Sequence, residues 1–458
     1  MRNQTRCVVL ALTLAGGLLC AKISHASGIS TARFGAEHGT PVSANPTAVY
    51  YNPAALAFSE HSYEVYFDVN VALRSASYQH TAAPTDEAEP AGAQGANTDK
   101  AKLFNVLAVP MFGASAKFGN LAVGAGVYVP FGGTSIWTKN DRFKDSPYPG
   151  LVDSGARWYS INGTIQSTYY TAAAAYRIGN TGLSLGLSGN LVNSVVHTIR
   201  ARTPNGTNSI LSEGRSYTDT SGWHGSFGIG ALYEAMKDKL WLGASYQAQP
   251  GVSGKIKLTG KLKGSFAGTE SETAVRIDEA LPDVIRVGVR YRVKPTWELR
   301  LFGDYTRWSV FEDQCLGAED KPCAVDASGA ASAGSGVIQN LPRHWNDAFG
   351  VRVGTSVWPS DPLELMLGLG YDSNAIPDAA LDPALVDFHD AMVALGARYR
   401  LLGHIFGGIT ATQFVNFPRD TGGKSGNAAW QMPSRGPDAG GKYTLSTTVI
   451  NANMMFAF

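Results

Sequence analysis

Apolar and polar residues alternate along most of this chain from residue 61 to its end, in runs separated by segments rich in Gly, Pro, Asn and Asp. Leu240, Leu242, Ala244 and Tyr246 alternate with Trp241, Gly243, Ser245 and Gln247. Ile285, Val287, Val289 and Tyr291 oppose Arg286, Gly288, Arg290 and Arg292, and Leu363, Leu365, Leu367, Leu369 and Tyr371 oppose Glu364, Gly368, Gly370 and Asp372. A period of two marks a strand with one apolar face. The pattern predicts 14 strands, near 61–78, 102–118, 120–138, 159–177, 180–202, 217–236, 239–254, 272–292, 295–311, 345–357, 361–373, 388–400, 403–416 and 441–458.

The gaps between these runs are by turns short and long. Short ones such as Phe118-Gly119-Asn120, Lys237-Asp238-Lys239 and Trp358-Pro359-Ser360-Asp361 have the composition of tight turns. Long ones fall near 79–101, 139–158, 203–216, 255–271, 312–344, 374–387 and 417–440. An even number of strands with short turns on one side and long loops on the other is the topology of an outer-membrane barrel, which a soluble sandwich need not follow. The expected fold is all-β, a 14-stranded antiparallel transmembrane β-barrel in the bacterial outer membrane. Tyr246 and Tyr371 would then lie at the external interface and Tyr291 and Tyr399 at the periplasmic one, in two aromatic girdles.

The last run places Ile450, Ala452, Met454, Phe456 and Phe458 on one face and Asn451 and Asn453 on the other. A terminal apolar strand is best accommodated when it closes a barrel and faces lipid. The strand ending at Phe458 is also the expected contact with the outer-membrane barrel assembly machinery. Outer-membrane lipid and lipopolysaccharide are the expected surroundings.

At the other end, Arg2 and Arg6 precede an apolar stretch from Cys7 to Ala21, and Ser24-His25-Ala26 has the form of a cleavage site. Residues 1–26 are therefore expected to be a signal peptide. Residues 27–60 are rich in small residues and in Asn-Pro breaks, with no sustained period. Ahead of a barrel whose lumen side chains need not fill, they are expected to fold back inside as a plug. Residues 61–458 would form the barrel.

Composition agrees and narrows the function. Gly contributes 52 of 458 residues, and charged residues make up only 16%. Beyond the signal no apolar run is long enough for a membrane helix. Three of the 38 Lys and Arg (Arg2, Arg6 and Lys22) fall in the signal, against 37 Asp and Glu, so the mature chain is nearly neutral and suggests no nucleic-acid partner. Cys315 and Cys323, a pair in a polar interstrand segment of an exported chain, read as a disulfide. Neither has a companion His or Cys at ligand spacing, so neither a metal nor a cofactor is expected. His38, His61, His80, His197, His224, His344, His389 and His404 are scattered, and a Gly-x-Ser-x-Gly elbow would belong to an α/β fold, so no enzyme is expected.

Several segments, in order, resemble the FadL/TodX-type outer-membrane transporters of long-chain fatty acids and other hydrophobic molecules. They are Val49-Tyr50-Tyr51-Asn52-Pro53-Ala54-Ala55-Leu56; Leu121-Ala122-Val123-Gly124-Ala125-Gly126-Val127-Tyr128-Val129-Pro130-Phe131-Gly132; Leu281-Pro282; Trp345-Asn346-Asp347; and Gly370-Tyr371-Asp372 with Ile376-Pro377-Asp378. The resemblance implies a passive channel. A plug carrying Asn52, Pro53 and Ala54 blocks the barrel, a hydrophobic ligand binds inside, and plug movement with a third-strand kink releases it through the wall. Gly124, Gly126, Pro130, Gly132 and Gly133 are the candidate kink residues, since Pro lacks a ladder donor and Gly permits bulges.

An apolar ligand with a carboxylate head would favour an inward Arg. Arg286, Arg290, Arg300 and Arg398, with Arg352, are the candidates, and Glu298, Asp304, Glu364 and the plug are their competing partners. The chain departs from the family at 203–216, which is short and polar, and at 255–263, whose alternation reads as strand rather than as a greasy capture groove. A general porin or receptor is the alternative function; it would have an open polar channel and no specific plug.

Overall fold

The structure, a computed structural model, describes residues 33–251, 254–266 and 268–458. The expected signal peptide and residues 27–32 of the expected plug lie outside the described residues. Nineteen strands form one continuous antiparallel sheet. In chain order they are β1 (Tyr63–His80), β2 (Ala101–Phe118), β3 (Leu121–Ile136), β4 (Asn162–Arg177), β5 (Leu183–Arg202), β6 (Gly214–Met236), β7 (Leu240–Gln247), β8 (Ile256–Phe266), β9 (Thr269–Glu279) and β10 (Val284–Lys294). They continue as β11 (Trp297–Thr306), β12 (Asp313–Ala318), β13 (Val337–Pro342), β14 (Ala348–Ser360), β15 (Leu363–Asp372), β16 (Asp390–Leu402), β17 (Ile405–Asn416), β18 (Arg419–Asp420) and β19 (Gly441–Ala457).

Fourteen of these strands close the barrel, running β1 to β7, then β10, β11, β14, β15, β16, β17 and β19, which pairs back onto β1. Closure leaves no free edge in the hydrocarbon, the condition a membrane sheet must meet. The seam runs from Glu64 opposite Ala457 to His80 opposite Gly441. Inside it, Asn451 Nδ2 donates to Asp68 Oδ2 at 2.8 Å and to Asn70 Oδ1 at 3.0 Å. Outside, Ile450 and Met454 are exposed.

The period-two pattern sorts the other strands in the same way. On β5, Ser184, Ser188 and Asn190 are buried in the lumen while Leu185, Leu187 and Leu191 face out. Exposed Tyr63, Phe118, Tyr176, Tyr233 and Tyr399 lie beside the short turns, and exposed Phe104, Trp223, Tyr305 and Phe417 lie toward the long loops.

Two expectations about the strands need correction. The run at 272–292 is not one strand. It covers most of β9, which belongs to a long loop, and most of β10, which belongs to the barrel, with a break at 280–283. The alternation passes through that break, but Pro282 has no N–H to continue a ladder. The runs at 239–254 and 295–311 are also shorter, with β7 ending at Gln247 and β11 at Thr306. The remaining strands lie in the long loops. Arg215–Ser221 of β6 leaves the barrel and pairs with β8, including Thr259 and Ser265. β8 pairs with β9, β9 with β12 and β12 with β13, making a sheet beyond the membrane. The segment 255–263 is thus largely strand. Cys315 and Cys323 are joined there by a disulfide with Cα atoms 5.9 Å apart.

Candidate functional site

Residues 33–60 occupy the lumen. Two Asn-Pro steps give this segment its turns. Asn45 Oδ1 accepts from Thr47 N at 2.9 Å, and Asn52 Oδ1 accepts from Ala54 N at 3.1 Å. Each Asn caps a turn that opens on the following Pro, whose missing N–H would be unpaired there anyway. The turns carry a short helix, Ala48–Tyr51, and a 3-10 helix, Pro53–Phe58.

The segment lies close to the wall because both surfaces are small. Ala48, Ala54, Ala55 and Ala57 are fully buried. Opposite them are glycines that could not carry a side chain. A Cβ on Gly186 would sit 2.3 Å from Ala54 N, and one on Gly230 would sit 2.0 Å from Asn52 Oδ1. Asn52 Nδ2 donates to Ala231 O at 3.0 Å, and Ser245 Oγ donates to Tyr51 O at 2.5 Å. Asn52, Pro53 and Ala54 are therefore the part of the segment held most directly by β5 and β6.

The four candidate head-group arginines are engaged around this segment. Arg286 donates to Tyr50 O at 3.3 Å, with its guanidinium 4.3 Å from the Tyr50 ring centre. Arg290 pairs with Glu298 at 3.0 Å, and Arg300 with the same carboxylate at 3.4 Å. Arg398 pairs with Glu364 at 3.0 Å, while His38 of the N-terminal segment holds the other Glu364 oxygen at 2.9 Å. None of the four lines the main cavity.

That cavity, about 400 Å³, lies above the segment between β1, β2, β3, β17, β19 and residues 386–388. Its lining is largely apolar, with Leu107, Val109, Val129, Ile165, Val386, Phe388, Phe414 and Leu445. The charged groups on it are Arg33, Arg74 and Arg352 with Asp372, Asp387 and Asp390. Arg352 is paired with Asp372 at 3.3 Å. Such a space has the size and lining that suit a small apolar molecule with a few convergent polar groups. Sequence reasoning missed Arg33 and Arg74. The phase of β1 held the signal for the second, since Asp68, Asn70, Ala72 and Arg74 share the inner face.

The wall beside the cavity is incomplete. β2 and β3 pair from Phe118 opposite Leu121 only as far as Met111 opposite Tyr128, and meet again at a bridge between Leu103 and Trp137. In the gap stand Pro110 and Pro130, neither of which can donate to a ladder. The β3–β4 register also shifts between Tyr128 and Phe131. At the outer rim the Asn105 side chain substitutes for the ladder, accepting from Ile136 N at 3.2 Å and donating to Ile136 O at 3.3 Å. Phe112 and Val127 face outward and are exposed, and both are also among the residues that line the cavity.

The five third-strand residues fall into two groups. Gly124 and Gly126 lie against Leu56 and Val49 of the N-terminal segment, where a Cβ would come within 2.9 Å and 2.8 Å. Pro130 sits at the register shift. Gly132 and Gly133 line the main cavity and a second one of about 110 Å³ on its external side.

Residues 373–389 cover the cavity from outside. Trp137 Nε1 donates to Pro383 O at 3.1 Å, and Ile376 N to Asp387 Oδ2 at 3.1 Å. Arg419 and Lys424 reach Asp378 at 2.6 and 2.8 Å. Partial burial pushes the Asp378 carboxyl up, but hydrogen bonds from Lys424 and Arg419 outweigh it and hold the group below its usual range.

Comparison with known proteins matches a family model described as outer membrane protein transport protein (OMPP1/FadL/TodX) to residues 7–404. An outer membrane protein of Neisseria meningitidis serogroup B is 24% identical over 399 residues, covering 80% of this chain and 81% of that one. The crystal structure of a Pseudomonas aeruginosa FadL homologue superposes with a TM-score of 0.72 at 15% identity, covering 95% of this chain and 99% of that one. That of the Ralstonia pickettii toluene transporter TbuX gives 0.62 at 14%, also covering 95% and 99%. At these identities the structural likenesses show the fold.

Proposed function

The chain belongs to the outer membrane protein transport family (OMPP1/FadL/TodX), and from that premise we propose that its cargo is a long-chain fatty acid or a similar hydrophobic molecule, bound in the 400 Å³ cavity. Transport of hydrophobic compounds across the outer membrane is the family's role, and the family is one of transport proteins rather than enzymes. The observation that carries the finer reading is the cavity itself. Its lining is largely apolar, and the stretch where β2 and β3 do not pair lies in its wall, which supports a sideways exit.

In this reading residues 33–60 are a plug, with Asn52, Pro53 and Ala54 holding it to β5 and β6. A ligand enters past residues 373–389, rests against Phe388 and Phe414, and leaves sideways past Pro110 and Pro130 into the outer leaf of the wall. The side exit suits an apolar chain, because it reaches lipid without crossing the polar layer around Glu298 and Glu364. An N-terminal signal cleaved after Ala26, delivery to the barrel assembly machinery through the strand ending at Phe458, and contact with lipopolysaccharide at the external rim belong to the same reading. The relatives include a toluene transporter, so an aromatic hydrocarbon is the second cargo to consider.

The test is uptake of labelled oleate by cells lacking their own transporter and expressing this chain, with toluene as competitor. Uptake above the empty-vector level that cold oleate displaces supports the fatty-acid cargo. Correct surface assembly without oleate uptake refutes it, and displacement by toluene alone assigns the hydrocarbon.

A further inference from the structure

His80 ends β1 on the external side, above the exposed Phe104, which stands opposite Ser75 of the same strand. It is buried, and both of its ring nitrogens face acceptors. Nδ1 lies 2.8 Å from Gly440 O, and Nε2 lies 2.9 Å from Asp86 Oδ2. A ring that donates from both nitrogens is the charged imidazolium. Asp86 is placed as its counter-ion, since Oδ2 also accepts from Ala83 N at 2.7 Å and Oδ1 from Asn208 Nδ2 at 2.9 Å. Burial pushes the Asp86 carboxyl up, but hydrogen bonds from His80, Ala83 N and Asn208 outweigh it and hold the group below its usual range.

This pair begins a chain of bonds through the external segments. Asp86 belongs to residues 81–100, Gly440 to 421–440 and Asn208 to 203–213. Glu87 N donates to Asn208 Oδ1 at 2.8 Å, which fixes that amide with Nδ2 toward Asp86. Asn97 Nδ2 donates to Asn208 O at 3.1 Å, and Asn97 Oδ1 accepts from Arg157 and from Trp158 Nε1, both at 2.9 Å. Arg157, in the segment between β3 and β4, is buried and pairs with Glu213 at 3.0 Å. Along this chain His80 is the side chain whose ordinary titration falls near neutral pH.

A different partner waits for the neutral ring. The Tyr78 hydroxyl lies 3.2 Å from His80 Nδ1. An unprotonated Nδ1 would accept from that hydroxyl and turn a lone pair on the Gly440 oxygen, so the bond to Gly440 is lost. The other ionisable groups packed around the site are Asp438, Tyr159 and Tyr443. Asp438 Oδ1 accepts from Gly440 N at 2.7 Å, and the Tyr159 hydroxyl donates to Asp438 O. Asp86 and Asp438 both favour the charged ring. Tyr159 lines the second cavity, so the site borders the outer lumen.

We infer that His80 and Asp86 form a pH-sensitive latch on the external loops. It fastens segments 81–100, 203–213 and 421–440 together while His80 is charged and releases them when His80 is neutral. Burial favours the neutral ring, but the bonds to Asp86 and Gly440 outweigh it and raise His80 above its ordinary value of about 6.5. The latch is therefore fully present below about pH 6.5 and is lost as the pH rises through the higher folded value. It acts on the order of the loops, whatever the cargo that passes them.

The experiment places a nitroxide at Ala88→Cys, an exposed position in 81–100, in the purified folded barrel. Its mobility is followed by electron paramagnetic resonance from about pH 6 to about pH 9, across the imidazole range. The expected result is a several-fold rise in the mobile fraction, with its midpoint above the ordinary imidazole value. His80→Gln abolishes the pH response, and Asp86→Asn gives the mobile spectrum already at the acid end. Constant mobility in the otherwise unaltered chain overturns the inference without recourse to either variant. So does a response that persists in His80→Gln, because another group is then titrating. A second label at Thr181→Cys, in the periplasmic turn between β4 and β5, stays unchanged; if it also loosens, the whole barrel is responding and the latch is refuted.

Discussion

Asn52 of the N-terminal segment is tied to Ala231 of the barrel wall, its side-chain amide donating to the Ala231 carbonyl oxygen at 3.0 Å. The same amide donates to Pro41 O at 2.7 Å, and its oxygen caps the turn at Ala54. One side chain thus shapes the N-terminal segment and fixes it to the wall. Asn52→Ala removes all three bonds and leaves buried backbone acceptors open, at a cost of about 2 kcal/mol. The segment is expected to loosen while the barrel survives, which single-channel conductance and heat-modified migration of the folded barrel will separate: conductance rises and the folded band remains.

Gly186 offers a second probe of the same contact. Ala there places its Cβ against backbone at Ala54, which cannot turn aside as a side chain could. Gly189 lies on the same strand with nothing within 4 Å of its Cβ position. Gly186→Ala should increase protease access to residues 33–60 in the purified protein, and Gly189→Ala should not. Equal access in both variants would mean that the segment is not held by this wall.

Gly133 has open space around its Cβ position and lines both larger cavities. Gly133→Leu is expected to fill the passage without disturbing packing, lowering uptake several-fold while the melting temperature stays within about 2 °C of wild type. Unchanged uptake would place the route elsewhere.

The loop sheet carries a pH response. Burial pushes the Glu279 carboxyl up to about 7, offset in part by Gln314 Nε2, which donates to it at 2.7 Å, and by Arg343. A carboxyl raised in the folded state is neutral there while the unfolded group ionises near its ordinary value of about 4.3. Stability from this site is therefore complete below about pH 4 and declines until pH 7, where folded and unfolded groups are both ionised. Hydrogen exchange in β9 and β12 should show that decline, and Glu279→Gln should flatten it.

The disulfide closes a short loop, with eight residues of sequence separation between Cys315 and Cys323. Replacing both with Ser should cost about 2–3 kcal/mol, by the loss of loop-closure entropy, in the stability of the loop sheet. Exchange should quicken in β12 and β13 and stay unchanged in β1 and β19.

Much of the barrel was legible because its inner and outer faces differ in kind at every second residue, as in Leu185, Leu187 and Leu191 against Ser184, Ser188 and Asn190. Periodicity does not say which strand a strand joins, which is why β9 and β10 read as one. The side chains of 272–292 alternate through Leu281-Pro282, and the break lies in a missing backbone donor. The arginines were legible too. Inward placement was readable for Arg286, Arg290, Arg300 and Arg398, and so were their competing partners: Arg290 and Arg300 pair with Glu298, Arg398 with Glu364, and Arg286 donates to Tyr50 O of the N-terminal segment.

The central claim, that the cavity between β2, β3 and Phe388 holds the transported chain, is tested most directly by the anomalous scattering of a brominated long-chain fatty acid soaked into crystals of the protein. A bromine peak among Val109, Val129, Phe388 and Phe414 is the predicted result. Bromine found only on the outer wall of the barrel, with the cavity empty at saturating ligand, would contradict it.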